Sequence, residues 1–155
     1  MNLPPEEQER LATFSQLIQE EEIEKALAFA RTAIEESATH AGLWHNQAGA
    51  LVFEFEDDQV CAFEHYHQSL QLGFDANICE ENMWEAAEVF FLSLRTEEGT
   101  FNAILTIIDQ DNGEKAHESF RANHLLKKYK AVFPEGQFTA QAKEYLAAFE
   151  AATEG

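Results

Sequence analysis

Two stretches of this chain repeat the same helical phrase. Lys25-Ala26-Leu27, with Ala33-Ile34 seven residues on, is echoed by Cys61-Ala62-Phe63, with Ser69-Leu70 seven residues on. Each copy follows a short acidic turn, and each turn follows an amphipathic stretch. Helix pairs recurring every ~34 to 40 residues cannot bury their apolar faces alone, so they stack on their neighbours. The phrase therefore predicts an all-α chain of antiparallel helix pairs, about eight helices in all, built as a short α-solenoid.

The rest of the sequence fills in that frame. Pro4-Pro5 followed by Glu6-Glu7 reads as a helix start, with proline in the first turn and acids at the positive end of the helix dipole. A first helix to about Glu20 carries Leu11, Phe14, Leu17 and Ile18 on one face; a second runs from about Glu22 to Ser37. The third carries Trp44, Ala48, Leu51, Val52 and Phe55, and its helical period outlasts the strand-like alternation at Val52-Phe53-Glu54-Phe55-Glu56. Asp57-Asp58 predicts an N-cap and Gly73 a stop for the fourth helix. The fifth is expected from Ile78 to Leu94, a shorter one from Thr100 to Asp109, then a turn at Asp111-Asn112-Gly113. Two closing helices, from Glu114 to about Val132 and from Gln137 to about Ala152, are split by Pro134-Glu135-Gly136.

These residues resemble the tetratricopeptide repeat family. The match is best at Trp44, Asn46, Ala48 and Leu51, followed by Ala62, Tyr66, Ser69, Leu70 and Leu72. Ala26, Ala33 and Ile34 carry it in the preceding unit; Trp84, Ala87, Ala103 and Ile104 carry it in a looser third; and Tyr129 to Leu146 looks like a terminal repeat. The resemblance implies one TPR-like domain over 1–155, with repeats at roughly 8–41, 42–77 and 78–112 and a terminal pair at 114–152. It implies small residues at Ala62 and Ser69 where two helices close up, with Ala48 in place of the usual glycine. It also implies a concave peptide-binding surface. On this chain that surface maps to His45, Gly49, Val52 and Phe53, then to Glu85, Val89 and Leu92. The cationic clamp by which some members hold a C-terminal carboxylate is not expected, because Arg10, Lys25, Arg31 and Arg95 are the only cations before Lys115.

Charge narrows the choice of partner. Of the formal −19, the stretch to Glu114 holds 24 acidic and 4 basic residues, and the remainder holds 5 and 6. Such a field repels nucleic acid and anionic membrane and attracts basic partners. Lys127-Lys128-Tyr129-Lys130 reads as a complement to the negative end of its own helix. The opening MNLPPEEQER has neither the basic nor the apolar region of a secretion signal, and no apolar run approaches the ~20 residues of a membrane span. The expected location is cytoplasmic.

Chemistry-bearing patterns are sparse. Glu64-x-x-His67 and Glu114-x-x-His117 have the spacing of carboxylate-bridged di-iron helices, but Glu114 beside Gly113 serves a helix start and no metal site is expected. His65 and His67 point to different faces, His40 and His45 flank a turn, and each reads as a surface histidine. Cys61 and Cys79 read as small buried hydrophobes. No phosphate loop or activated nucleophile is present, so neither catalysis nor a cofactor is expected. Two functions remain. One is an adaptor or chaperone holding a basic or apolar segment. The other is an acidic inhibitor or immunity-like protein that blocks a basic enzyme, such as a nuclease, through Glu54, Glu56, Asp57 and Asp58.

Overall fold

The structure, a computed structural model, describes residues 3–93 and 125–154, with side chains as far as Ala148. The expected helix at Thr100–Asp109, the turn at Asp111–Gly113, Arg95, Ala103, Ile104 and the Glu114/His117 pair lie outside the described residues. Within them the chain is helical, with no strand. The helices are α1 (Pro5–Gln19), α2 (Ile23–Glu36), a 3-10 turn (Ala38–His40), α3 (Ala41–Phe55), α4 (Gln59–Gln71), α5 (Ala76–Ser93), α6 (residues 125–132) and α7 (Thr139–Glu154). The strand-like alternation at 52–56 is helix as far as Phe55, because α3 buries Leu51 and Val52 together.

Packing divides the chain into two compact units, Met1–Cys79 and Glu80–Gly155, with the boundary inside α5. In the first unit each helix packs on the next in sequence. Side chains fix the directions. Glu7 at the start of α1 meets Ser37 at the end of α2 and Trp44 near the start of α3. Ser69, near the end of α4, donates a 2.6 Å hydrogen bond to the carbonyl of Gly42 at the start of α3. Successive helices are therefore antiparallel. The repeated phrase supplies the seams: Ala26, Leu27 and Ala33 in α2, and Ala62, Phe63 and Ser69 in α4, are all buried. Trp44 is wholly buried, with the ring of Phe14 edge-on at 5.5 Å and that of Phe29 at 5.8 Å.

Turn chemistry closes α1 and α4 in the same way. Glu22 N–H reaches Leu17 O at 2.9 Å and Glu21 N–H reaches Ile18 O at 3.0 Å; Phe74 and Gly73 repeat this on Ser69 and Leu70 at 3.1 and 3.0 Å. The residue in the left-handed position is Gly73 (φ +88°) in one copy and Glu21 (φ +61°) in the other. A β-carbon there is strained by roughly 1–2 kcal/mol. Glu21→Gly is therefore expected to stabilise the chain by about 0.5–1 kcal/mol, after allowing for the greater freedom of glycine when unfolded. A urea midpoint that stays put or falls would count against it.

Among the described residues of the second unit, α5, α6 and α7 are joined by their side chains. Trp84 of α5 stacks on Phe138 (5.4 Å, 3°) and on Tyr145 (5.7 Å, 17°), and Tyr145 stacks in turn on Phe91 (5.0 Å, 10°). Ala142 and Leu146, expected on the closing helix, are buried. Buried Glu80 accepts from Tyr129 Oη at 2.8 Å and from Gln137 N–H at 2.9 Å, which ties α5 to α6 and to the turn before α7. Burial and this bond to Glu80 push the Tyr129 phenol up to about 12. In the basic cluster, Tyr129 is core while Lys127 is exposed.

Candidate functional site

Three arrangements in the first unit bring polar chemistry together. The first centres on Glu7, which is only 3% exposed. Its Oε1 accepts from Ser37 Oγ at 2.5 Å and from the Arg10 guanidinium, and its Oε2 accepts from Trp44 Nε1 at 2.9 Å. Burial pushes this carboxyl up, but the three hydrogen bonds and the Arg10 charge outweigh burial and hold it below the ordinary carboxylate value. The sequence placed Glu7 with Glu6 at the helix dipole; the fold turns Glu7 inward as a three-helix tie. Two clefts of about 510 and 330 Å³ flank Arg10, walled by Glu6 and Glu36 among others.

A second arrangement joins α3 to α4. His45 Nδ1 and His65 Nδ1 are 3.0 Å apart, with ring centroids 5.3 Å apart. Burial lowers the pKa of both, and for His65 burial, His45 and Arg31 together bring it to about 4. The partner of His45 is thus His65 rather than His40, and neither is the plain surface histidine that spacing suggested.

The same contact corrects the mapping of the expected binding surface. A β-carbon on Gly49 would lie 2.7 Å from Tyr66 Cε1 and 3.1 Å from His65 Cβ, so Gly49 is where α4 closes onto α3. His45 faces α4 too, and Val52 is fully buried. The close-approach glycine of this pair is Gly49 itself, one residue beyond Ala48, and that shift turns the helix by about 100° relative to the resemblance. Phe53 is half-buried. On α5, Glu85, Val89 and Leu92 are exposed. Asn46 is buried on α3, and its Nδ2 has no hydrogen-bond partner among the described residues.

The third arrangement is a cleft of about 260 Å³ between α1 and α3, the first helices of the two pairs. Phe14 and Ile18 of α1 line it with Gln47, Ala50, Leu51, Glu54 and Phe55 of α3. Phe55, left 48% exposed, sits in the acidic run Glu54 to Asp58, all of it on the surface. Two of those acids also build the α3–α4 turn: Asp58 caps α4 by accepting from Cys61 N–H at 3.0 Å, and Asp57 (φ +54°) accepts from Gln59 Nε2 at 2.5 Å. Glu54 lines the cleft, and Glu56 is exposed beside it in sequence.

Among the described residues, no three His, Cys, Asp or Glu side chains are grouped to hold a metal, and no helix is long and apolar enough to cross a membrane. Both cysteines are free. Cys79 is buried against Ser69 Oγ at 3.5 Å; Cys61 is half-buried, its thiol pushed up by burial and by Asp58, Glu56 and Glu64. The chain matches no protein-family model, and comparison with curated proteins and with solved structures likewise found no match.

Proposed function

We propose that this chain is a non-catalytic protein-binding module, an adaptor or chaperone, whose first unit holds a basic segment with apolar anchors in the cleft between α1 and α3. The TPR-like stacking of its helix pairs belongs to the same reading. The observation that carries it is the cleft itself: an apolar trough between the first helices of two antiparallel pairs, with Phe55 exposed at one end and Glu54 on its wall. An apolar groove takes an amphipathic segment by burying its anchors, and acids at the rim pair with cationic flanks. Net charge selects the flanks, since an acidic segment would meet the repulsion of the 24 carboxylates before Lys115.

Synthetic segments of about a dozen residues test this by fluorescence anisotropy. A basic amphipathic segment is expected to bind. Phe55→Asp should weaken that binding by roughly tenfold or more, the worth of one buried aromatic anchor. An acidic amphipathic control should not bind. Equal affinity for the Phe55→Asp chain would remove the cleft from the reading. The second reading, charge mimicry by Glu54, Glu56 and their neighbours, is favoured by their exposure. It predicts binding that ignores Phe55 and vanishes in high salt.

A further inference from the structure

We propose that His45 and His65 form a proton-sensitive clasp that closes α3 on α4 near neutral pH and loosens it on mild acidification.

The geometry leaves room for a proton and little else. The ring centroids are farther apart than the facing nitrogens by about one ring width, so both Nδ1 atoms lie on the line joining the two rings. That is the alignment of one Nδ1–H donating to the other Nδ1. A tetrahedral metal would instead need both rings turned off that line toward a common point. One ring must therefore be a donor and the other an acceptor, and the pair holds while it carries no more than one proton at the shared position. One added proton can enter the donor ring at Nε2 and leaves the bond in place. Once both rings are cationic both Nδ1 atoms are donors, and two like charges face each other at 3.0 Å in half-buried surroundings. No slack absorbs the repulsion. Gly49, one turn beyond His45, already has the ring of Tyr66 and the Cβ of His65 against it.

The charges acting on His65 are Arg31 of α2, which also disfavours protonation, and Glu64 of α4, which favours it less strongly. Both histidines titrate below their unfolded value of about 6.5. The sign follows directly. The unfolded chain takes up protons first, so the clasp contributes fully above pH 6.5, and its contribution falls as pH drops from 6.5 toward 4. This window lies above that of Glu7, whose contribution is lost only below the ordinary carboxylate range. Because α3 supplies five of the seven residues of the α1–α3 cleft, loosening it would also disturb the cleft; that extension rests on the proposed function.

The test needs no partner, so its failure would leave the cleft reading untouched. Urea denaturation at pH 7.5, 6 and 5 compares the natural chain with His65→Gln, with His40→Gln as control. High salt screens the repulsion of the −19 charge, which otherwise relaxes as pH falls. Between pH 6 and 5 the folding constant of the natural chain is expected to fall about tenfold more than that of His65→Gln for each ring that titrates late. The His40→Gln chain should follow the natural one. Nitrogen-detected NMR of the natural chain reads the same point without a variant. Two coupled imidazole titrations, one far below 6.5, are expected. Independent titration of both rings near 6.5, or parallel stability curves for the natural and His65→Gln chains, would overturn the clasp. Should His65→Gln fail to fold, the NMR titration decides alone.

Discussion

Replacing Trp44 with alanine is expected to cost the first unit about 4 kcal/mol, the middle of the range for truncating a buried aromatic side chain. Two losses combine. The indole fills the space among α1, α2 and α3, with Phe14 and Phe29 edge-on to it, and alanine would leave a cavity that three helices cannot easily close. The indole N–H is also one of the three donors to buried Glu7, which would keep only Ser37 and Arg10. Trp44→Phe separates the terms, since it keeps most of the volume and removes the donor. It should cost about 2 kcal/mol, the range for a hydrogen bond to a charged group. Urea unfolding followed by circular dichroism measures both. A Trp44→Ala loss below about 1.5 kcal/mol would mean that the indole is not the keystone of this packing. The Trp44→Phe chain retains Trp84, which lies in the second unit.

Gly136→Ala should be nearly as damaging to the second unit, for a different reason. The added methyl group would collide with Glu80 Oε2 and lie 2.8 Å from Phe133 Cβ and 3.0 Å from Tyr129 Oη. Glu80 is not free to swing away, because its Oε2 holds both Tyr129 and the Gln137 N–H. The expected cost is about 3 kcal/mol, from overpacking plus a weakened buried hydrogen-bond network. Gly73→Ala provides the contrast. No heavy atom lies within 4 Å of the added carbon there, and only the positive φ resists it. That change should cost about 1 kcal/mol. If the two glycine variants lose equal stability, crowding at Gly136 is not the operative term.

Much of the fold was legible because apolar residues at helical spacing have few other uses. The starts and stops at Pro5, Asp58 and Gly73, and the seams at Ala26, Ala33, Ala62 and Ser69, needed only local chemistry. The phase of α3 was not legible to that precision. Ala48 and Gly49 are both small, and only the ring of Tyr66 lying over Gly49 decides between them. Polar ties were hidden for a related reason. Glu7 is one of 24 acids in its part of the chain, and nothing local distinguishes an acid that turns inward 37 residues ahead of its indole partner. The His45–His65 contact spans 20 residues and two helices, so spacing along one helix could not reveal it. The resemblance mapped its binding surface to α3 and α5, and the cleft between α1 and α3 was not among its expectations.

The two units also differ in when they can form. Ties between helices of the first unit span 20 to 37 residues, and each helix finds its partner in the next one made. The second unit joins α5 to residues 49 to 57 positions later, at Tyr129, Gln137 and Tyr145. On a ribosome, the first unit can close its core while the rest is still being made. Among the described residues, the ring partners of Trp84 on α5 are Tyr129, Phe138 and Tyr145, so that face must wait for most of the remaining chain. During that interval the Trp84 face of α5 is open to aggregation or to a holding chaperone, so synthesis speed and temperature should bear on this protein's yield through that face.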